Sequence, residues 1–204
     1  TKNLTTGEGG MILYKKKKLF DKAKVISLHG LTKDAWKRSK RDKEITKNFH
    51  YDVKEVGYKY NLTDINASIG LVQLAKLEKN LLKRRKLFNY YSKRLKKLPV
   101  NFQKFDNRIH RHGCHLFIIV LQKNKFKKKR DKLFSFLISN KIGCGINYRS
   151  VTDMSIFKKK FGWNSKTCPN SKYVGDNTIS LPLHPNMKKT DIDYICSKIL
   201  KFYN

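Results

Sequence analysis

The sequence predicts an α/β protein, and three observations carry that expectation. From His115 onward, apolar runs of strand length alternate with stretches of helical apolar period, the mark of a small layered α/β domain. Ahead of it, residues 63–98 carry one long helical pattern that Pro99 stops. Hydrophobic residues at 39% and aromatic residues at 12% of 204 supply a sizeable core despite 30% charged residues.

Taken in order, Gly7-Glu8-Gly9-Gly10 reads as a turn running into a short apolar strand at 11–14. Residues 15–18 form a polar turn. Residues 19–28 show helical or buried apolar spacing and end at His29-Gly30. Residues 33–58 are polar, with Trp36, Phe49 and Tyr51 as scattered anchors, and read as a long loop of the kind that is usually functional or disordered. Thr63 opens the clearest helix, with Asp64 in its first turn, where a carboxylate suits the dipole. Ile65, Ile69, Val72, Leu77, Leu81 and Phe88 trace its apolar face. A helix of about 35 residues would reach about 50 Å, so a break inside it is expected. Residues 100–113 read as a basic linker, which divides the chain into 1–100, a linker at 101–113 and a domain at 114–204. Beyond the linker the pattern gives a strand at 115–122, a helix at 129–140 and a strand at 145–149. A short helix near 154–161 follows, then a loop with Trp163 and Pro169. A strand at 178–183 and a closing helix at 189–202 complete the domain.

The net charge of +32 suggests a nucleic-acid partner, but only 9 of the 47 Lys+Arg residues are Arg, the residue that reads phosphate and guanine bidentately. The lysines are spread over nearly the whole chain beside abundant Asn, Ile, Phe and Tyr. That mix reads as compositional drift on solvated faces, so a basic nucleic-acid-binding protein is the remote alternative. The longest apolar run, Leu116 to Leu121, is too short to span a bilayer, and no leader pattern is read at the start. The expectation is a cytoplasmic protein with no membrane and no nucleic-acid partner. Cys114, Cys144, Cys168 and Cys196 stand 24 to 30 residues apart without a CxxC pair, so reduced thiols and no metal site are expected.

The stretch richest in chemistry is Thr1-Lys2-Asn3-Leu4-Thr5-Thr6-Gly7-Glu8-Gly9-Gly10. Glycines beside a strand allow close approach of a ligand, and a lysine just before such a turn is a candidate Schiff-base nucleophile. On spacing alone the pattern is weak, and a hairpin with an ordinary surface lysine is the commoner reading.

That stretch resembles the lysine loop of the DegT/DnrJ/StrS family of pyridoxal-phosphate sugar aminotransferases. Gly57-Tyr58-Lys59-Tyr60-Asn61-Leu62-Thr63-Asp64-Ile65-Asn66-Ala67 is similar to a second signature of that family. His29 to Arg38, and Ile179-Ser180-Leu181-Pro182-Leu183-His184-Pro185 before a final helix, fit the same order. The nearest branch is that of the UDP-sugar 4-aminotransferases, which includes the enzymes making UDP-4-amino-4-deoxy-L-arabinose. The resemblance implies a fold-type-I pyridoxal-phosphate (PLP) aminotransferase, represented by the end of its large domain and a complete C-terminal small α/β domain. It also implies that the phosphate cradle, the ring-stacking aromatic and the partner of the pyridine nitrogen belong to a preceding half. This chain is therefore expected to be the inactive C-terminal half of a longer enzyme.

Carried over by the resemblance, Lys2 is the catalytic residue, which holds the cofactor covalently and shuttles a proton. Lys59 and Asn61 are cofactor-binding residues that reach a neighbouring subunit's cofactor phosphate. The commoner form of that signature has Asn in place of Lys59 and Arg in place of Asn61, and either side chain can donate to phosphate. Asn147, Tyr148 and Arg149 stand where many members carry a His-aromatic pair near the substrate. Asn147 cannot act as an acid or base there. His29 and His184 have no partner legible in the sequence. The implied activity transfers an amino group, from glutamate, to a keto group of a nucleotide-activated sugar for surface polysaccharide or lipopolysaccharide synthesis. A homodimer is the implied assembly. The family also contains a non-aminating dehydratase branch, in which His replaces the lysine; Lys2 is the residue that argues against it.

Overall fold

The computed structural model describes residues 2–32, 51–103, 109–122 and 130–203. It contains two compact units, Leu4–Ala75, and Thr1–Asn3 together with Lys76–Asn204.

In the Leu4–Ala75 unit, helix α1 (Lys17–Ile26) is supported by an i,i+4 pair between Lys17 and Asp21 at 2.6 Å. It stops where His29 and Gly30 take left-handed backbone angles, φ 57° and 73°. Residues 57–61 then run antiparallel to the end of this helix. The Tyr58 amide donates to Ile26 O (2.7 Å), the His29 amide to Tyr58 O (2.9 Å) and the Tyr60 amide to Ser27 O (2.8 Å). The strand expected at 11–14 does not form, and Met11, Ile12 and Leu13 are 83%, 69% and 85% exposed. No strand among the described residues offers them a ladder, and an unpaired extended segment has nothing to fix it.

Helix α2 (Asp64–Leu95) starts as expected, with the Asn66 amide donating to Thr63 Oγ1 at 3.3 Å. The expected break is absent, and all 32 residues are helical. The segment contains no proline, so nothing forces a kink. Its first half is largely exposed. Its second half buries Leu81, Arg84, Leu87, Phe88, Tyr91 and Leu95, which places 76–95 in the C-terminal unit. The division between the units therefore falls inside α2, between Ala75 and Lys76, and not at 101–113.

The C-terminal unit is built on a three-stranded antiparallel sheet in the order β1-β2-β3. Its strands are β1 (Val100–Phe102), β2 (Phe117–Leu121) and β3 (Thr178–Leu181). Val100 pairs with Leu121 and Phe117 with Leu181. Around the sheet lie α3 (Arg130–Ser139), α4 (Ser155–Phe161), α5 (Pro169–Asn177) and α6 (Lys189–Tyr203). Alternation in β2 sends Phe117, Ile119 and Leu121 inward. Every side chain of β3 is buried. Phe117 stacks on Tyr91 of α2 with ring centres 4.5 Å apart, and α3 packs on both α6 and β3.

Three sequence expectations change here. The start of the supposed linker is β1, whose hydrogen bonds go to β2. The strand at 145–149 is reduced to one bridge, Gly145 to Ser180. The loop at Pro169 is helix α5, with Pro169 in its first turn, where a missing N–H costs nothing. Among the described residues no helix is long and apolar enough to cross a membrane. The four cysteines are free thiols. Trp36 and Phe49, expected anchors of the loop, lie outside the described residues.

Candidate functional site

A cavity of about 530 Å³ opens in the C-terminal unit, and Lys2 lines it. The sheet and the segments flanking it supply the other walls. Arg84 comes from α2, His115 precedes β2, Gly143 to Gly145 with Asn147 and Tyr148 form the segment that bridges to β3 at Gly145, Ser180 is in β3, and Leu183-His184 follow it. The structure thus brings Lys2 together with Asn147 and Tyr148, which 145 residues of sequence separate from it. Arg149, exposed, is not among the lining residues. Lys2 is held near the wall by its neighbour, whose Asn3 side-chain amide donates to Gly113 O.

Arg84 is the residue that sequence reasoning misses. Lys83-Arg84-Arg85-Lys86 looks like a solvated basic face, yet Arg84 is only 7% exposed. Its Nη1 donates to Leu183 O (2.8 Å), His115 O (3.1 Å) and, at the limit, Cys114 O (3.5 Å). Burial pulls its pKa below the usual guanidinium value, which still leaves it charged. His115 is pushed toward the neutral form by burial first, then by the charges of Lys2 and Arg84. Two buried polar atoms of this wall, His115 Nδ1 and Ser180 Oγ, have no hydrogen-bond partner. Cys144 behaves as an inert thiol, its pKa pushed up to about 11 by burial. Among the described residues no carboxylate lines the cavity, and its polar lining is cationic, imidazole, amide and hydroxyl in character.

In the Leu4–Ala75 unit, Lys59 and Asn61 are both exposed, on the segment that runs beside the end of α1. Tyr58 and Tyr60 stack with ring centres 5.0 Å apart and nearly parallel planes, as alternate residues of an extended segment do. Lys59 itself pairs its backbone with Leu28. Both tyrosines and Asn61 line a largely apolar hollow of about 1100 Å³, together with Gly9 to Ile12 and Phe20. Two glycines make the segment's course possible. A Cβ on Gly57 would sit 2.2 Å from Gly30 N, and one on Gly30 would sit 1.8 Å from Glu55 O. Among the described residues no group of His, Cys, Asp and Glu is placed to hold a metal ion.

Residues 1–200 match the DegT/DnrJ/EryC1/StrS aminotransferase family. The chain belongs to that family. Its aminotransferases depend on pyridoxal phosphate. An uncharacterized protein of Methanocaldococcus jannaschii is 32% identical over 201 residues, 98% of this chain and 51% of that protein. The spore coat polysaccharide biosynthesis protein SpsC of Bacillus subtilis is 32% identical over 200 residues, 98% of this chain and 50% of SpsC. The chain spans about half the length of the curated relatives it matches. A Streptococcus pneumoniae protein described as a sugar aminotransferase, solved in its PMP form, superposes with a TM-score of 0.82 at 23% identity. That match covers 98% of this chain and 50% of that one.

Proposed function

We propose that the full-length protein is a PLP-dependent aminotransferase that moves an amino group from glutamate to a keto group of a nucleotide-activated sugar. Lys2 is its covalent anchor for the cofactor. The observation that carries this reading is the cavity: the lysine of the family's lysine loop lines it beside Asn147 and Tyr148. The lining fits the group, because a phosphorylated cofactor and anionic substrates suit walls that carry amine, guanidinium, imidazole, amide and hydroxyl groups and, among the described residues, no carboxylate. When bound, pyridoxal phosphate supplies the electron sink for the bond broken at the amino-bearing carbon.

The chain's own residues do the rest. Lys2 Nζ holds the cofactor and accepts and returns the proton at the reacting carbon. Asn147 orients substrate by hydrogen bonds alone, since an amide has no proton to give or take near neutral pH. Tyr148, 67% exposed, offers its ring face and hydroxyl at the rim, and Arg149 lies outside it for a substrate's phosphates. Lys59 and Asn61 donate to the cofactor phosphate of a second subunit, which makes the working unit a homodimer. The spore coat polysaccharide role printed for SpsC supports a part in surface polysaccharide synthesis, including lipopolysaccharide, carried out in the cytoplasm where nucleotide sugars are made.

The test is mass-spectrometric: full-length protein with pyridoxal phosphate, glutamate and a UDP-4-keto-sugar. The reading expects an amino-sugar nucleotide and an equal amount of 2-oxoglutarate. A dehydrated sugar without amine transfer would refute it.

A further inference from the structure

We propose that helix α5 is a positioning element for the sugar-nucleotide substrate, with Ser171 and Gly175 fixing where Asn147 and Tyr148 stand in the wall of the Lys2 cavity. This rests on the reading of that cavity as the catalytic one. The first argument is the glycine. Inside a helix glycine is less favourable than alanine, so its place in α5 calls for a packing reason. The reason is the close approach of residues 148–150. A Cβ on Gly175 would sit 2.7 Å from Ser150 N, 3.2 Å from Tyr148 O and 3.3 Å from Arg149 C. All three are backbone atoms, so α5 lies directly against the segment that carries Tyr148.

The second argument is a set of side-chain ties between the same two elements. Ser150 and Thr152 are each 3% exposed, and Ser150 Oγ lies 2.7 Å from Thr152 Oγ1 and 2.9 Å from Ser171 Oγ of α5. Lys172 of α5 pairs with Asp153 at 2.9 Å. Helix α5 is itself tied to the sheet. The Tyr173 hydroxyl donates to Leu121 O at 3.1 Å, and Arg130 Nη1 of α3 donates to Gly175 O and Thr178 O, both at 3.2 Å. At the other end of the segment, Gly145 and Ser180 of β3 exchange backbone hydrogen bonds of 3.0 and 2.8 Å. Residues 146–149 are thus strung between β3 at Gly145 and α5 at Ser150, and the cavity-lining Asn147 and Tyr148 fall between those anchors. A displacement of α5 passes to them, while Lys2 sits on a different segment. Size decides which substrate feels it. Tyr148, 67% exposed, and Arg149 lie at and beyond the rim, where a nucleotide extends and a small amino acid beside Lys2 does not.

Steady-state kinetics of the full-length enzyme with glutamate and a UDP-4-keto-sugar test this. In Gly175→Ala the KM for the sugar nucleotide should rise about tenfold, as for a binding group displaced by a fraction of an ångström. In Ser171→Ala it should rise about fivefold, as for one neutral hydrogen bond lost. In both variants kcat and the KM for glutamate should stay within about twofold of wild type, a split that general damage to the fold would not give. If Gly175→Ala does not fold, Ser171→Ala decides alone. An unchanged sugar-nucleotide KM in every variant that folds overturns the proposal, as does an equal rise for glutamate. A second readout needs no turnover: NMR of the 204-residue chain at the Asn147 side-chain amide and the Tyr148 ring. Both signals should move in each variant while the amides of β1 stay in place, and unmoved signals overturn the proposal. The outcomes therefore separate. Moved signals in a protein that cannot transaminate sink the enzyme reading alone, and transamination with Asn147 and Tyr148 unmoved sinks the positioning role alone.

Discussion

Gly57→Ala should unlock the segment that presents Lys59 and Asn61. The added Cβ would lie 2.2 Å from Gly30 N, 2.6 Å from His29 C and 2.8 Å from Ile26 O. All three are backbone atoms, so no side-chain rotation relieves the clash and the segment has to retreat. Retreat breaks the bonds that dock it, Tyr58 N to Ile26 O, His29 N to Tyr58 O and Tyr60 N to Ser27 O. At about 1 kcal/mol net for each bond, the docked state loses about 3 kcal/mol, which corresponds to about 150-fold faster exchange of those three amides. Hydrogen exchange followed by NMR in wild type and variant reads this directly. The amides of β2 act as the internal control, since their bonds lie in the other unit. Protection at residues 29, 58 and 60 within threefold of wild type would refute the claim that glycine at position 57 permits this backbone crossing.

Other expectations follow from the same structure. The His115 ring should titrate below the ordinary histidine value in an NMR pH series. Lys2→Ala should raise its pKa part of the way back, because burial is the larger cause and the Lys2 charge the second. With the folded-state pKa lowered, the unfolded chain binds the extra proton first, so stability from this group is intact above about pH 6.5 and falls as pH drops below it. In the full-length enzyme, Lys59→Ala with Asn61→Ala should weaken retention of pyridoxal phosphate by about tenfold, measured by dialysis. Mixing that variant with Lys2→Ala should restore part of the activity if the two groups serve opposite subunits; no restoration in mixed dimers would count against a shared site. Ile119, fully buried in the central strand, should lose about 3 kcal/mol in urea unfolding when changed to Ala.

Much of the fold is legible in local sequence. Thr63-Asp64 marks the start of α2, Pro99 its limit, and the apolar run at 116–121 gives β2, because caps, breakers and burial patterns act within a few residues. The misses are non-local. Residues 11–14 have strand composition but no partner strand among the described residues. Val100–Phe102 looks like linker until β2 pairs with it. Pro169 reads as a loop breaker although the same residue suits the first turn of a helix. For the site, the motif containing Lys2 is visible in sequence, whereas its company is not. Arg84 is hidden within a basic run, and only the packing of α2 against the sheet shows it to be buried. His184 looks partnerless in sequence and is a wall of the Lys2 cavity. Ser180 is an ordinary strand serine until β3 places the residue in the wall of that cavity.

The central claim is that Lys2 is the residue that holds the cofactor. Borohydride reduction of the pyridoxal-phosphate-loaded full-length protein, followed by peptide mapping, tests it most directly. The account predicts a phosphopyridoxyl group on Lys2, in the peptide that continues through Asn3-Leu4-Thr5-Thr6, and its disappearance in Lys2→Ala. A label fixed on any other lysine, with Lys2 recovered unmodified, would contradict it.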